Sequence, residues 1–362
     1  MRIFRSTTLL LLSAACCVGS SVSSGGPVAT VALTEPPVSG RLEVKWASIT
    51  FASDTMVAAG LCYEGQAGSR CSLSLVRWEQ GTLRRVAETR DFASGVSVQR
   101  ASGGRILAIK GLSPIALYSG DLSVKQDLPK GLSRFVSPSG DIVSQWAPSS
   151  WTLYRLTDKV EPLRAGSGEL LGISDQFALI QDGSTIRVEG LNGKQVGSFT
   201  APAGPGGSYA SAGALGSSSI YLDDCRDVQI VGLNGNPLRE LRPHKGCSEG
   251  DTSSSIDGRR MLFDFTDRKV SGPRRVIDGL RSVTTFGMAG TEAVNHEDVK
   301  VVDTVTGKSC FEWQRGFPET YNQIRSAAIS PSGKFMAIME ANTLSIYPLP
   351  DACGGWTGVS GR

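Results

Sequence analysis

Histidine is almost missing from this chain. Its 362 residues include two histidines, His244 and His296. That scarcity bears directly on metal chemistry, because zinc sites are built from imidazole and thiolate at short, characteristic spacings. No Cys-x-x-Cys is present. The run "NHEDVK" opens like a zinc-protease helix, but no second histidine follows four residues later. His296, and His244 within "RPHKGC", therefore read as loop residues, and no metal is expected. The chain also lacks a G-x-S-x-G elbow, a Walker loop and a dinucleotide fingerprint. The glycine-rich "GPGGS" at 204–208 opens no helical pattern and reads as a linker. No cofactor is expected. Charge of one sign is missing as well: 37 basic residues face 34 acidic ones, for a net +3, with no long run of either. Nucleic-acid binders carry a basic stripe interleaved with aromatics, so a nucleic-acid partner is excluded.

Long apolar runs are also lacking. A short apolar stretch centres on Leu9–Leu12, far short of the roughly 20 residues that span a bilayer. With Arg2 and Arg5 before it and small residues after it, Met1–Ala15 has the form of an export signal. Two processing routes fit. Cleavage after Ser20 or a neighbouring small residue would make 1–20 a signal peptide. Alternatively, "LSAAC" ending at Cys16 has the form of a lipoprotein box, with Cys16 the lipidated N-terminus. The product would be periplasmic, extracellular or lipid-anchored, touching a membrane only through such an anchor. Residues 21–40 are rich in Ser, Gly, Pro and Val and read as a flexible linker.

What is present begins with cysteine. Beyond Cys16 and Cys17, six of the eight remain: Cys62, Cys71, Cys225, Cys247, Cys310 and Cys353. An even number in an exported chain suggests disulfides. Proximity favours Cys62–Cys71 across a hairpin, Cys225–Cys247 within one repeat, and Cys310–Cys353 tying the tail (351–362) to the last repeats.

Glycine is abundant, at 43, with 17 prolines, which implies many turns. The clearest stretch is "SPSGKFMAIMEANTLSIYPLP", residues 330–350. It reads as a tight turn, a strand, a second short turn and another strand, with Pro331 presetting φ and Gly333 tolerating φ > 0. Imperfect copies recur. "SPSGDIVSQWAPSSWTLYRL" begins at Ser137, "SDQFALIQDGSTIRVEGLNG" at Ser174, "SSSIYLDDCRDVQIVGLNG" at Ser217 and "IDGRRMLFDF" at Ile256. Turn glycines or their equivalents fall at Gly103, Gly140, Asp175, Ser218, Gly258 and Gly333, spaced by 37, 35, 43, 40 and then 75. A period of roughly 40 residues built from four short strands is the blade of a β-propeller. The final gap is one blade with an insertion, giving seven blades, or two blades, giving eight; seven is preferred, because Arg259–Phe265 otherwise lacks an outer strand. The propeller spans 41–350. Its last unit supplies three strands, and an N-terminal strand around Arg41–Lys45 is expected to close the ring.

The sentences "SPSGKFMAI" and "SPSGDIV" resemble the repeats of WD40-like and TolB-type bacterial propellers. The Gly-His and Trp-Asp dipeptides of WD40 repeats are missing, as is the α/β domain that precedes a TolB propeller. The resemblance implies a propeller fold and binding of proteins or peptides.

Candidate chemistry is sparse. Asp223-Asp224, Asp264 and Asp267 read as hairpin-tip residues whose side chains bond their own turns. As funnel carboxylates they would instead support a carbohydrate-active hydrolase or lyase. Trp46, Trp78 and Trp313 lie in strand patterns and read as packing between blades. Trp146 and Trp151 flank the turn in "QWAPSSW" and are candidates for an exposed peptide-binding pair. The insertion "SGPRRVIDGLRSVTTFGM", 271–288, has Pro273 at a first helical position and Val276, Ile277, Leu280 and Val283 on one face. A short amphipathic helix is expected there, with Arg274, Arg275 and Arg281 offering a basic partner surface. The combined expectation is an exported monomeric propeller that binds a protein or peptide without catalysis.

Overall fold

The computed structural model describes residues 26–33, 43–65, 68–147, 150–157, 159–200, 211–223, 227–241, 253–268, 295–316, 325–354 and 359–360. These form seven separate sheets, each laid down as an antiparallel meander from the inside of a ring outward. Blade 1 contains Glu43–Ser53, Met56–Gly65, Gly68–Glu79 and Thr82–Thr89, and blade 2 contains Val96–Arg100, Ile106–Lys110, Ser113–Tyr118 and Lys125–Asp127. Blade 3 contains Leu132–Val136, Ile142–Ala147, Ser150–Leu156 and Val160–Ser167, and blade 4 contains Glu169–Ile173, Phe177–Asp182, Thr185–Gly190 and Gln195–Thr200. Blade 5 contains Ser211–Leu215, Ser219–Asp223, Val228–Gly232 and Pro237–Leu241, and blade 6 contains Ser253–Ser254, Arg260–Arg268, Asn295–Asp303 and Ser309–Gly316. Blade 7 takes Arg325–Ile329, Phe335–Glu340 and Thr343–Pro348 from the end of the chain, and Ala29–Ala32 from its beginning.

The second strand of each blade explains the continuous apolar runs. Both faces of this strand are covered by neighbouring blades, so alternate residues serve alternate seams. In blade 4, Ala178 and Ile180 pack toward blade 3, whereas Phe177 and Leu179 pack toward blade 5. In blade 2, Ile106 and Ala108 face blade 1, and Leu107 and Ile109 face blade 3. Seven apolar clusters result, one for each seam, and the last joins blade 7 to blade 1 through Met339, Leu344, Ile346, Val57 and Leu61. Outer strands have only one covered side and lose this continuity, as the mostly exposed "TLRRVAET" of blade 1 shows.

The turn between first and second strands repeats in atomic detail. In blades 3, 6 and 7 the serines Ser137, Ser255 and Ser330 are buried. Each accepts, at its carbonyl, an N–H from the glycine three residues on. Each hydroxyl oxygen also accepts the N–H five residues on, from Ile142, Arg260 and Phe335 at 3.2, 3.0 and 3.1 Å. Ser174 of blade 4 does the same for Phe177 at 2.9 Å. The hydroxyl thus satisfies a buried amide where the strand begins.

Gly140 shows how tightly these turns meet. Its φ is +79°, and a Cβ there would lie 2.1 Å from the carbonyl oxygen of Arg100 in blade 2. Gly103 has φ +67° with open space around it. Gly140→Ala is therefore expected to cost about 2–4 kcal/mol, combining left-handed strain with overpacking, and Gly103→Ala only about 1–2 kcal/mol. Urea unfolding of the two variants checks this; equal losses would refute the seam contact.

Several expectations change here. The ring is closed by an N-terminal strand, but by Ala29–Ala32 rather than Arg41–Lys45; Ala29 pairs with Ile346 and Ala32 with Thr343. Glu43 onward is instead the long innermost strand of blade 1, with Glu43 opposite Glu64. The closing strand comes from within the stretch read as linker, because "ATVA" is too short to show a period. Eight blades are excluded: Arg260–Arg268 pairs directly with Asn295–Asp303 over nine positions. His296, Asp264 and Asp267 accordingly lie in strands, not at loop tips. The C-terminal segment adds a fifth strand to blade 6, with Val359–Ser360 parallel to Trp313–Gln314. The expected helix at 271–288, with Arg274, Arg275 and Arg281, lies outside the described residues. The one helical turn among the described residues is a 3-10 turn at Ser102–Gly104.

Candidate interaction surface

An antiparallel meander places its first–second and third–fourth turns on one face of the ring. Near the axis the polar groups of this face bind neighbouring blades. Ser332 of blade 7 donates its N–H to Asp54 of blade 1 at 3.0 Å. Val98 of blade 2 donates to the Ser48 hydroxyl of blade 1, and Ile49 of blade 1 to the Ser326 hydroxyl of blade 7, both at 3.0 Å. Ser139 of blade 3 donates its hydroxyl to Asp175 of blade 4 at 2.5 Å. Ile256 of blade 6 donates to the Pro331 carbonyl of blade 7 at 3.0 Å. Arg100 of blade 2 donates twice to the Pro138 carbonyl of blade 3, at 3.3 and 2.8 Å. Burial lowers the Arg100 pKa, while Asp175 and Asp54 oppose that shift. These contacts lock the ring, and the side chains named are occupied in doing so.

Two described carboxylates have displaced pKa values, and both lie in third–fourth turns. Asp121 is drawn down to about 2 by the hydroxyls of Ser119 and Ser123 and by the Ser123 N–H. Asp303 is buried, which pushes its pKa up, but Thr306, through its N–H and hydroxyl, and Arg259 outweigh that and hold it below the usual range. A general acid needs the opposite direction. Asp303, which was not among the aspartates singled out in the sequence, bonds its own turn. Because its folded-state pKa is depressed, its contribution is complete above the unfolded value of about 3.9 and is lost as pH falls through the folded value. Asp303→Asn is expected to cost about 2–3 kcal/mol at neutral pH and to flatten the acid limb of stability; an unchanged limb in acid titration would refute the assignment.

Trp46, Trp78, Trp151 and Trp313 are seam residues. Trp46 donates its indole N–H to the Val96 carbonyl of blade 2 at 3.0 Å. Trp78 meets Phe335 of blade 7 edge-on at 4.3 Å, and Trp313 is buried between blades 6 and 7. Trp151 is corrected from surface candidate to core: it is 2% exposed, packs between blades 3 and 4, and lies under Arg164 at 5.1 Å. Gly166 makes this possible, since a Cβ there would lie 2.1 Å from the indole ring. Its strand alternates, and Trp151 falls on the covered side. The Trp146 side chain lies outside the described residues, as do Cys16, Cys225 and Cys247. Cys62–Cys71 is a disulfide across paired strands of blade 1, and Cys310–Cys353 joins blade 6 to the tail.

Among the described residues the exposed large apolar side chains are Val28, Val86, Leu112, Val124, Val196, Leu238, Ile256 and Val305, and three of these fall in the outer parts of neighbouring blades. Val196, Leu238 and Val305 are 51, 56 and 63% exposed in three consecutive blades, 4, 5 and 6. Val196 and Leu238 occupy the same bulge in the outer strand, where one extra residue follows the "GLNG" turn. Arg239 donates to the Val305 carbonyl at 2.8 Å and links the last two blades. Exposed Lys194 and Lys308 lie in the adjoining turns. This strip was missed in the sequence, although an apolar residue at one outer position of both "GLNG" copies is a readable signal.

Seven blades, six of four strands and one of four plus an added C-terminal strand, with seven seams and an edge closed by the opposite terminus, define a seven-bladed β-propeller. No protein-family model matches the chain, and no curated protein matches its sequence. Among solved structures it is similar to Hsv2 of Kluyveromyces lactis, with TM-score 0.46 and 10% identity over 84% of this chain and 99% of that one. It is likewise similar to Sqt1 of Chaetomium thermophilum, with TM-score 0.45 and 12% identity over 89% and 98%.

Proposed function

We propose that this protein is an exported, non-catalytic platform that binds a protein or peptide partner. The observation that carries the reading is the strip of exposed Val196, Leu238 and Val305 on consecutive blades of a ring whose own polar turns are occupied. Apolar side chains held on a rigid rim lose little entropy on docking, and Lys194, Lys308 and Arg239 around them favour an acidic border on the partner. Export is supported by the signal-like N-terminus and by two cysteine pairs at bonding distance, which persist in oxidising compartments.

The test is capture from an envelope extract by the mature chain and by a Val196→Lys, Leu238→Lys double variant. The double variant is expected to retain its fold and lose the captured partner at least about tenfold, as loss of a buried apolar anchor does. An unchanged partner set would refute the rim as the surface. A parallel deletion of 271–288 asks whether the basic insertion contributes. Palmitate labelling that depends on Cys16 distinguishes the anchored product from the free one.

A further inference from the structure

The blades are imperfect copies of one unit, so a feature covered in one blade and bare in another shows what fits the bare one. The outer strands of blades 4, 5 and 6 share a bulge just after the third–fourth turn. Val196, Leu238 and Cys310 are its extra, unpaired residues. The turns before them match in their bonding: the N–H groups of Gly190, Gly232 and Asp303 reach the carbonyls of Lys194, Asn236 and Lys308 at 2.8, 2.9 and 3.0 Å. Lys194 and Lys308 therefore hold the same place, as do Gln195 and Ser309 before the bulge. Exposure separates the three blades. Cys310 is fully buried, whereas Val196 and Leu238 stand bare.

In blade 6 a segment of chain crosses the bulge. Cys353 is bonded to Cys310, and Gly354 donates its N–H to the Ser309 carbonyl at 3.1 Å. The segment also runs along Lys308: a Cβ on Gly354 would lie 2.8 Å from its Cδ. The next blade walls the site, with Tyr347 edge-on to Phe311 at 5.2 Å. Blade 4 repeats this frame. Gly197 follows Val196, and a Cβ on it would lie 1.9 Å from the Leu233 carbonyl, so the blade 5 turn is the wall. By position the acceptor is the Gln195 carbonyl. Lys194 is exposed, beside a strand, Gln195–Thr200, that has no charged residue. Blade 5 departs further: Asn236 replaces the lysine, Pro237 precedes the bulge, and Arg239 is engaged with the Val305 carbonyl.

We propose that the Val196 notch of blade 4 binds an extended peptide segment of a partner protein. The peptide backbone donates an N–H to the Gln195 carbonyl, a small apolar side chain covers Val196, and a neighbouring carboxylate meets Lys194. The first two features are those of the segment seated on Cys310 in blade 6. The carboxylate is set by the lysine beside an uncharged strand. Blade 4 offers no thiol at the bulge, so the peptide is held without a covalent bond. The proposal rests on the rim as partner surface and adds the chemistry of the partner.

The test uses the full-length chain and the synthetic peptide LPDAVGG, which copies residues 349–355 with valine at the cysteine position and so cannot exchange disulfides. Ligand-observed NMR is expected to show binding with a Kd of about 1 mM. Val196→Lys is expected to weaken it at least about tenfold, and Val86→Lys, at the bulge of blade 1, to leave it unchanged. The charge-reversed peptide LPKAVGG is expected to bind about threefold more weakly, and Lys194→Glu to restore its binding. N-methylation of the glycine after the valine removes the donor to Gln195 and is expected to cost about fivefold. No binding at about 5 mM, or binding indifferent to Val196→Lys or to N-methylation, overturns the proposal, as does an equal loss in Val86→Lys. If Val196→Lys abolishes partner capture from the envelope extract but LPDAVGG neither binds nor competes, the rim remains the partner surface and the extended-peptide mode is overturned.

Discussion

Removing residues 1–33 is expected to open the ring between blades 7 and 1, with a loss of about 4 kcal/mol or more in urea unfolding. The deletion takes away Ala29 and Leu33 from the apolar cluster of that seam, with Val31 packed against it. A buried aliphatic side chain is worth about 1.5–3 kcal/mol. It also removes the N–H of Val28 from the Ile346 carbonyl and that of Leu33 from the Asn342 carbonyl, both at 2.8 Å, and the Leu33 carbonyl from Arg85 at 2.9 Å. The whole outer side of Thr343–Pro348 would then be an unpaired edge next to a buried, apolar strand, so self-association by light scattering is the second expected result. Val28→Asp is the control: Val28 is exposed, and the substitution should leave stability within about 0.5 kcal/mol. A truncated chain as stable and monomeric as the full one would mean that the ring does not depend on its terminal strand.

Glu189→Ala is expected to cost about 3–5 kcal/mol, because it strands two guanidinium groups in a partly dry seam. Glu189 lies in blade 4 with its side chain 13% exposed. One carboxylate oxygen takes Arg164 of blade 3 and the other takes Arg187 at 2.9 Å. Arg164 also donates to the Gly190 carbonyl at 2.8 Å and covers the Trp151 ring, while Nε of Arg187 is buried without a partner. The carboxylate is therefore the one acceptor common to both cations. Glu189→Gln keeps an acceptor but loses the charge, and should fall between the wild type and Ala. A double-mutant cycle with Arg164→Met tests the coupling; purely additive losses would show that the pair acts only by filling space. The double substitution should recover part of the single loss, since removing both partners is cheaper than leaving one unpaired.

How much of this was legible before the fold was known depends on distance along the chain. The turn serines and glycines, the second strands and the hairpin Cys62–Cys71 are local, and the residues that make them lie within about ten positions of one another. They could be read from "SPSG", from runs such as "FALIQ" and from the cysteine spacing. Trp151 was misread for the opposite reason. Whether a strand residue faces a seam or solvent depends on the blade beside it, and the glycine that admits its ring, Gly166, is one strand away. The Arg164–Glu189 pair, the Arg100 clamp on Pro138 and the Asp54 contact with Ser332 join different blades, and no local pattern announces them.

The repeat period, and with it the propeller class, follow from the sequence alone, because each blade is a short-range object whose strands and turns are written out consecutively. Tertiary structure alone decided where the ring shuts, that Trp151 is buried, that the long gap is one blade, and that Val359–Ser360 pairs with blade 6. Each of those depends on backbone edges that come into contact only when seven sheets are set around one axis. A four-residue strand such as Ala29–Ala32 carries too little pattern to declare its partner; the unpaired edge of Thr343–Pro348 on the far side of the chain selects it.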